Sequence, residues 1–170
     1  MATPSAIPPP PLQLKIGISG AAETGHCGID AYDKALELGR EVARHGAVLV
    51  TGATTGFPLW VAMGAKQEKG IVIGFSPANS EKEHIEAYNL PVEYHDVIVY
   101  TGFGFPGRDL IFTRSSDAML FGCGRVGTIH EFTIAFEDKN VAKKWAGKCV
   151  DAIIVPIQSP KRIFGIWQVI

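Results

Sequence analysis

The stretch from Asp117 to Glu131, DAMLFGCGRVGTIHE, constrains this chain more than any other. Ala118 to Phe121 are four apolar residues in a row and read as a short buried strand. A glycine-punctuated turn follows, Gly122-Cys123-Gly124-Arg125-Val126-Gly127, and Thr128 then opens an amphipathic helix with Ile129, Phe132 and Phe136 on one face. Strand, glycine-rich turn and helix start in succession build an anion site. Glycine lets the backbone come close to a ligand, and the first N–H groups of a helix have no acceptor within it. The expectation is a phosphate-binding loop at the carboxyl end of a parallel sheet, with Gly124, Arg125, Gly127 and Thr128 around the anion. A second reading needs no ligand: Thr128 and Glu131 have the spacing of a capping box, whose side chains satisfy the helix's own first donors. At this level both stay open.

The chain ahead of this stretch repeats the same grammar. Leu14 to Ser19 is a strand ended by Gly20, and Asp30 stands where an N-cap belongs. The helix after it places Ala31, Ala35, Leu38 and Val42 on one face and ends near Gly46. Ala47 to Thr51 is a continuous apolar run, of the kind a parallel sheet buries on both faces. The small-residue turn Gly52-Ala53-Thr54-Thr55-Gly56 leads into a helix over 57–69. Strands over 71–75 and 97–100, a short helix around 81–88 and a helix over 106–116 with proline in its first turn complete the run. The expected fold is α/β: a doubly wound, mostly parallel sheet with helices on both faces, Rossmann-like.

Residues 1–12, with four prolines at Pro8 to Pro11, read as an extended mobile leader, leaving 13–170 as one nucleotide-binding-like domain. A chain of 170 residues has the length of a single domain with a real core. Beyond Lys139 the pattern weakens to a polar, basic stretch over 141–148, one more strand in DAIIVPI, and an apolar end, RIFGIWQVI.

A net charge of −1 offers no basic field, so no nucleic-acid polymer is expected as partner. No apolar run approaches the roughly 18–20 residues of a membrane span, and the start lacks the regions of a signal peptide. Cys27, Cys123 and Cys149 are odd in number, widely spaced and free of any CxxC pair. That pattern favours reduced thiols in the cytoplasm over a disulfide framework or a zinc site. The five histidines, His130 among them, show no metal-ligand spacing, so no metal site is expected.

Three turns line up along the chain: ISGAAET after the first strand, TGATTG after the second and GCGRVGTIHE after the fifth. Together they resemble the Rossmann-like family that contains the LONELY GUY-type phosphoribohydrolases and the molybdenum cofactor carrier proteins, some of whose members carry a lysine-decarboxylase label. The family motif Pro-Gly-Gly-x-Gly-Thr-x-x-Glu reads here Cys123-Gly124-Arg125-Val126-Gly127-Thr128-Ile129-His130-Glu131. The hydrolases also carry an arginine nine residues before the aspartate that starts the last strand, the spacing of Arg108 and Asp117. The resemblance covers about residues 14–139. It departs at Cys123 and Arg125, where the hydrolases have Pro and Gly, and at Asp109, where they have Lys. Gly-Arg-Asp at 107–109, Ser115-Ser116, Glu37-Leu38-Gly39-Arg40 and Gly64-Ala65-Lys66 look more like the carrier side.

The resemblance implies a small phosphorylated ligand and a homo-oligomer, dimer or tetramer. On the hydrolase reading a nucleoside 5′-monophosphate loses its base, with Arg108 and Glu131 as the catalytic pair flanking the ribose and no cofactor required. On the carrier reading the molybdenum cofactor, a phosphorylated pterin, is bound without chemistry. Residue by residue, Gly20, Gly52 and Gly56 are candidates for the ligand floor or plain turn punctuation. Arg108 opposes a helix dipole in its expected first turn, which an anionic ligand or a salt bridge to Asp109 or Glu131 would explain. Glu131 is either an acid/base or the capping-box partner. Asp109 and Asp117 read as capping or solvated groups, and no residue marks a Schiff-base lysine.

Overall fold

The computed structural model describes residues 12–137 and the strand Ile153–Pro156. The proline-rich leader to Pro11, the basic stretch 141–148, Cys149 and the apolar end lie outside the described residues. In chain order the elements are β1 (Lys15–Ser19), α1 (Ala31–Arg44), β2 (Val48–Thr51), α2 (Phe57–Gln67), β3 (Val72–Ser76), α3 (Glu81–Glu86), β4 (Val97–Tyr100), α4 (Gly104–Ser115), β5 (Ala118–Phe121), α5 (Val126–Glu137) and β6 (Ile153–Pro156).

Among the described residues six strands form one sheet in the order β4-β3-β2-β1-β5-β6. The first five pair in parallel, and β6 closes the edge antiparallel to β5. This is the expected doubly wound α/β architecture. Alternation along the strands sorts the core into two layers, because successive side chains point to opposite faces. Ile16, Ile18, Leu49, Val72 and Leu120 pack with Ala35 and Val42 of α1 and Val61 and Ala65 of α2. Val48, Val50, Met119 and Phe121 face the other way, onto Phe112 of α4 and Ala135 of α5. Strand order reverses between β1 and β5, and both strands deliver their carboxyl ends to the same rim of the sheet.

Helices α1 and α2 meet through two glycines. A Cβ on Gly39 would run into the Val61 carbonyl, and one on Gly64 into the Leu36 carbonyl. The backbones touch where those residues stand, which gives a packing reason for the ELGR and GAK segments noted in the sequence.

Four local expectations are corrected. Asp30 occupies the N-cap position of α1 but makes no capping bond, its carboxylate pairing with Lys34 instead at 2.9 Å. Helix α4 begins at Gly104, so Arg108 lies in its second turn, away from the strongest part of the helix dipole. Helix α5 begins at Val126, two residues before Thr128. Its inward face is Glu131, Phe132 and Ala135, with Phe132 edge-on to Phe121 at 5.4 Å, while Ile129 and Phe136 are exposed. Finally, Cys27 and Cys123 form a disulfide, so these two are not the reduced thiols the sequence suggested. Spacing along the chain could not show it: the partners stand 96 residues apart and meet because β1 and β5 are neighbours. With this pair oxidised, the cysteines no longer point to a cytoplasmic location. Among the described residues no helix is long and apolar enough to cross a membrane.

Candidate functional site

A cavity of about 510 Å³ opens at the carboxyl ends of β1, β2 and β5, beside the point where strand order reverses. Parallel sheets bind ligands at this place because the loops diverge there and leave a crevice. The volume suits a small organic ligand, for which pockets run from about 300 to 1,000 Å³.

Three loops are tied together around it. The Ala21 N–H donates to the Cys123 carbonyl at 2.7 Å, and the Phe57 N–H donates to the Ala21 carbonyl at 2.9 Å. The Cys27–Cys123 disulfide and an ion pair between Arg125 and Glu23 join the first and third loops again. Arg125, exposed at the mouth, is therefore held across the entrance.

On one wall stands the start of α5. The Arg125 carbonyl accepts from Ile129 at 3.1 Å, which makes Arg125 the last residue before the helix and leaves the N–H groups of Val126, Gly127 and Thr128 without acceptors inside it. Val126, Gly127 and Thr128 line the cavity. Such a turn attracts an anion through its free donors and the positive end of the helix dipole. Gly124 lies behind it: a Cβ there would collide with the Thr128 side chain, which folds back over the turn.

The capping-box reading of Glu131 fails. With the helix starting at Val126, Glu131 sits in the second turn, too far along to reach back to the N-cap. It is 7% exposed, lines the cavity, and accepts a hydrogen bond from the Ser19 hydroxyl at the end of β1. Burial pushes its carboxyl up to about 8. The Arg108 charge opposes this, the Asp109 charge reinforces it, the Ser19 bond opposes it, and a hydrogen bond with Asp109 adds to it.

Arg108, 6% exposed, is fixed from three sides. It donates to the Gly52 carbonyl, to the Phe75 carbonyl at 3.3 Å and, through Nε, to Asp109 at 3.0 Å. The ring of Phe105 lies 5.6 Å from its guanidinium carbon. Gly52 is glycine because a Cβ would strike that guanidinium. The salt bridge to Asp109 weighed in the sequence does form, yet Arg108 still lines the cavity.

Asp109 corrects the reading of it as a solvated or capping residue. It is 5% exposed and accepts from Arg108 on Oδ1 and from His130 Nδ1 on Oδ2 at 2.8 Å. Asp117 neither caps a helix nor stands in solvent: its side chain is 16% exposed and accepts from the Lys15 backbone N–H and side chain, each at 2.8 Å.

Of the residues singled out in the sequence, Gly20, Gly52, Arg108, Arg125, Gly127, Thr128 and Glu131 all line this cavity. Gly124 supports it from behind, and Gly56 does not line it. Gly56 serves the turn into α2, with φ at +71° and no room for a Cβ against the Ala21 and Ala22 carbonyls. Sequence reasoning missed Ser19, Asp109 and His130. The signals for Asp109 were its adjacency to Arg108 and its place in the Gly-Arg-Asp segment at 107–109. Among the described residues no cluster of histidine, cysteine or carboxylate could hold a metal ion.

A parallel sheet with a helix-start anion site at its reversal point and a buried acid pair beside it defines a Rossmann-like ligand-binding protein. The chain belongs to the SLOG cluster4 family, whose model matches residues 13–147. A protein of Archaeoglobus fulgidus with no assigned function is 33% identical over 130 residues, covering 76% of this chain and 78% of that one. Among solved structures, the molybdenum cofactor binding protein of Rippkaea orientalis matches with a TM-score of 0.65 at 28% identity, over 75% of this chain and 73% of its own. The molybdenum cofactor carrier protein of Chlamydomonas reinhardtii matches with a TM-score of 0.62, also at 28% identity and over the same shares.

A more distant match corrects the exclusion of nucleic acid. DNA processing protein A of Helicobacter pylori, described with a single-stranded DNA binding mode, shares the fold at a TM-score of 0.53 and 18% identity, over 73% of this chain and 61% of its own. A fold that serves a DNA-binding protein cannot be set apart from nucleic acid by a net charge of −1.

Proposed function

We propose that this protein binds a small phosphorylated ligand as cargo, with the phosphate on the α5 start and the rest of the molecule in the cavity between the loops after β1, β2 and β5. The observation that carries this reading is the cavity wall formed by Val126, Gly127 and Thr128, whose backbone donors have no acceptor within the helix. The two molybdenum cofactor proteins at 28% identity support a phosphorylated pterin as that cargo. Arg108 supports binding over chemistry, because it is already committed to two carbonyls and Asp109. Purified protein, oxidised in acid and assayed for pterin fluorescence, tests the cargo. Protein that carries no pterin and binds none when loaded removes that identity.

A second reading, hydrolysis of nucleoside 5′-monophosphates, has one observation in its favour. Glu131 is a buried carboxyl held towards its acid form beside the cavity, the state a general acid needs to protonate a departing base. Incubation with a panel of monophosphates, followed by chromatography for free base, decides between the two. Base release at an appreciable rate supports the hydrolase.

Assembly belongs to the same proposal. Val126, Ile129 and Phe136 of α5 and Leu110 of α4 are exposed apolar side chains, which supports a dimer or larger homo-oligomer. A monomer by light scattering at micromolar concentration would remove it.

A further inference from the structure

The loop between β1 and α1 has an anchored part and a loosely held part. Ala21 and Glu23 are tied to the anion-turn loop by a backbone bond of 2.7 Å and by the ion pair with Arg125, and Gly20 to Glu23 line the cavity. Residues 24–29, further along, reach that loop through the Cys27–Cys123 disulfide. None of these residues is buried, and Ile29 stands fully in solvent. Their own hydrogen bonds are local: the Cys27 N–H donates to the Thr24 carbonyl at 2.9 Å, and the Gly28 carbonyl accepts from the Ala31 N–H at 3.0 Å. The Glu23–Arg125 pair, with both side chains more than half exposed, holds little by itself. One covalent bond therefore fixes this side of the cavity mouth. Its cysteines are half-buried and flanked by exposed His26, Gly28 and Gly124, so a thiol can reach it from solvent.

We propose that Cys27–Cys123 is a reversible redox site, at which a dithiol opens the cavity mouth and speeds release of the bound ligand. The release rests on the reading that the cavity takes a phosphorylated ligand; the site itself rests on the loop. The Cys27 sulfur is the point of attack, because its loop is exposed whereas Cys123 packs against the core layer that includes Ile18 and Phe57. One thiolate of the reductant bonds to Cys27 Sγ, the S–S bond of the protein breaks, and Cys123 leaves as a thiolate that takes up a proton. The second thiol of the reductant then gives up its proton and displaces Cys27, which takes up a proton in turn. The protein gains two electrons and two protons, and the reductant ends as a disulfide. Cys123 stands two residues ahead of Arg125, where the positive end of α5 favours a departing thiolate. Exchange with an oxidised dithiol runs the same steps backwards and restores the staple. With the staple open, among the described residues the exposed Glu23–Arg125 pair alone holds the loop beyond Ala21 to the anion turn. Such a segment opens at little cost.

Two measurements on the full chain test it, each made before and after treatment with dithiothreitol. The first is NMR relaxation of the backbone amides. Order parameters of residues 24–29 should fall below about 0.6 on reduction, while those of β1 and β2 stay near about 0.85. Cys27→Ser should match the reduced protein with or without dithiothreitol. Three results overturn the proposal: a disulfide that dithiothreitol leaves intact in the folded chain, order parameters that reduction leaves in place, or loss of the folded β1 and β2 signals along with the loop. The second measurement follows AMP leaving the protein by stopped flow. Reduction should raise the dissociation rate at least about tenfold, since affinity changes at one site act mostly through dissociation. Cys27→Ser should release AMP as fast as the reduced protein does. An unchanged rate overturns the gate. If AMP does not bind the oxidised protein, the ligand reading fails, and the first measurement alone upholds or overturns the redox site.

Discussion

Cys27 and Cys123 close a disulfide between the loop after β1 and the loop that carries the anion turn. The same two loops are joined by the Ala21–Cys123 backbone bond and by Arg125 and Glu23, so one wall of the cavity is fastened to the opposite one at three levels. Cross-linking residues 96 apart removes much conformational freedom from the unfolded chain.

Reduction should therefore lower stability by about 2–4 kcal/mol, read as a shift of the urea midpoint with and without dithiothreitol. Two further thiols should become titratable on reduction. Equal midpoints would remove the disulfide from the account.

The contact between α1 and α2 gives a sharper local expectation. Gly39→Ala and Gly64→Ala each push a methyl group into a backbone carbonyl, of Val61 and Leu36 respectively, and a helix backbone cannot yield as a side chain can. Each should cost about 1–3 kcal/mol despite alanine's better helix propensity. A stabilised variant at either position would show that the helices can separate freely.

Much of this fold was legible in the sequence, and the reason is physical. Strands of a parallel sheet are buried on both faces, so Val48–Thr51 and Ala118–Phe121 stand out as unbroken apolar runs. Arg108 and Glu131 were legible as a spacing. What Glu131 does was not, because Thr128 and Glu131 have capping-box spacing whatever the helix does, and the helix start at Val126 is set by the turn before it. The bond from Asp109 to His130 joins two helices 21 residues apart and leaves no periodic trace. The disulfide depends on β1 lying beside β5, which only the sheet order reveals.

Arg108 and Arg125 should separate cleanly on mutation. Arg108→Ala leaves Asp109 buried without its Nε partner and two carbonyls without a donor, which should destabilise by about 3–5 kcal/mol. Arg125→Ala removes an exposed ion pair and should cost less than about 1 kcal/mol. Chemical denaturation of both variants checks this, and equal losses would mean that Arg108 is not the buried brace described above.

Glu131 makes stability depend on pH in an unusual direction. A carboxyl that is raised from 4.5 to about 8 on folding keeps its proton in the folded state while the unfolded chain ionises. Below pH 4.5 both states hold the proton and the group is neutral to stability. Between 4.5 and about 8 the folded state binds more protons, so stability falls as pH rises, by at most about 1.4 kcal/mol per pH unit. Above about 8 the loss is complete and the curve levels. His95 works against this at the acid end, since burial holds its imidazole below the ordinary value and favours the folded state as pH rises towards 6.5. Asp96, held low by Lys66 and the Val72 N–H against a partial loss of solvation, contributes stability that is already full above the ordinary carboxylate range. The comparison that isolates Glu131 is therefore with Glu131→Gln, which keeps a neutral side chain of the same shape at every pH and leaves His95 and Asp96 in place. Urea unfolding at pH 5.5, 7 and 8.5 should show the wild type losing ground to the variant across the series, the gap widening with each step. Parallel curves would mean that Glu131 ionises as readily in the folded protein as in the unfolded chain, and the buried acid pair would have to be abandoned.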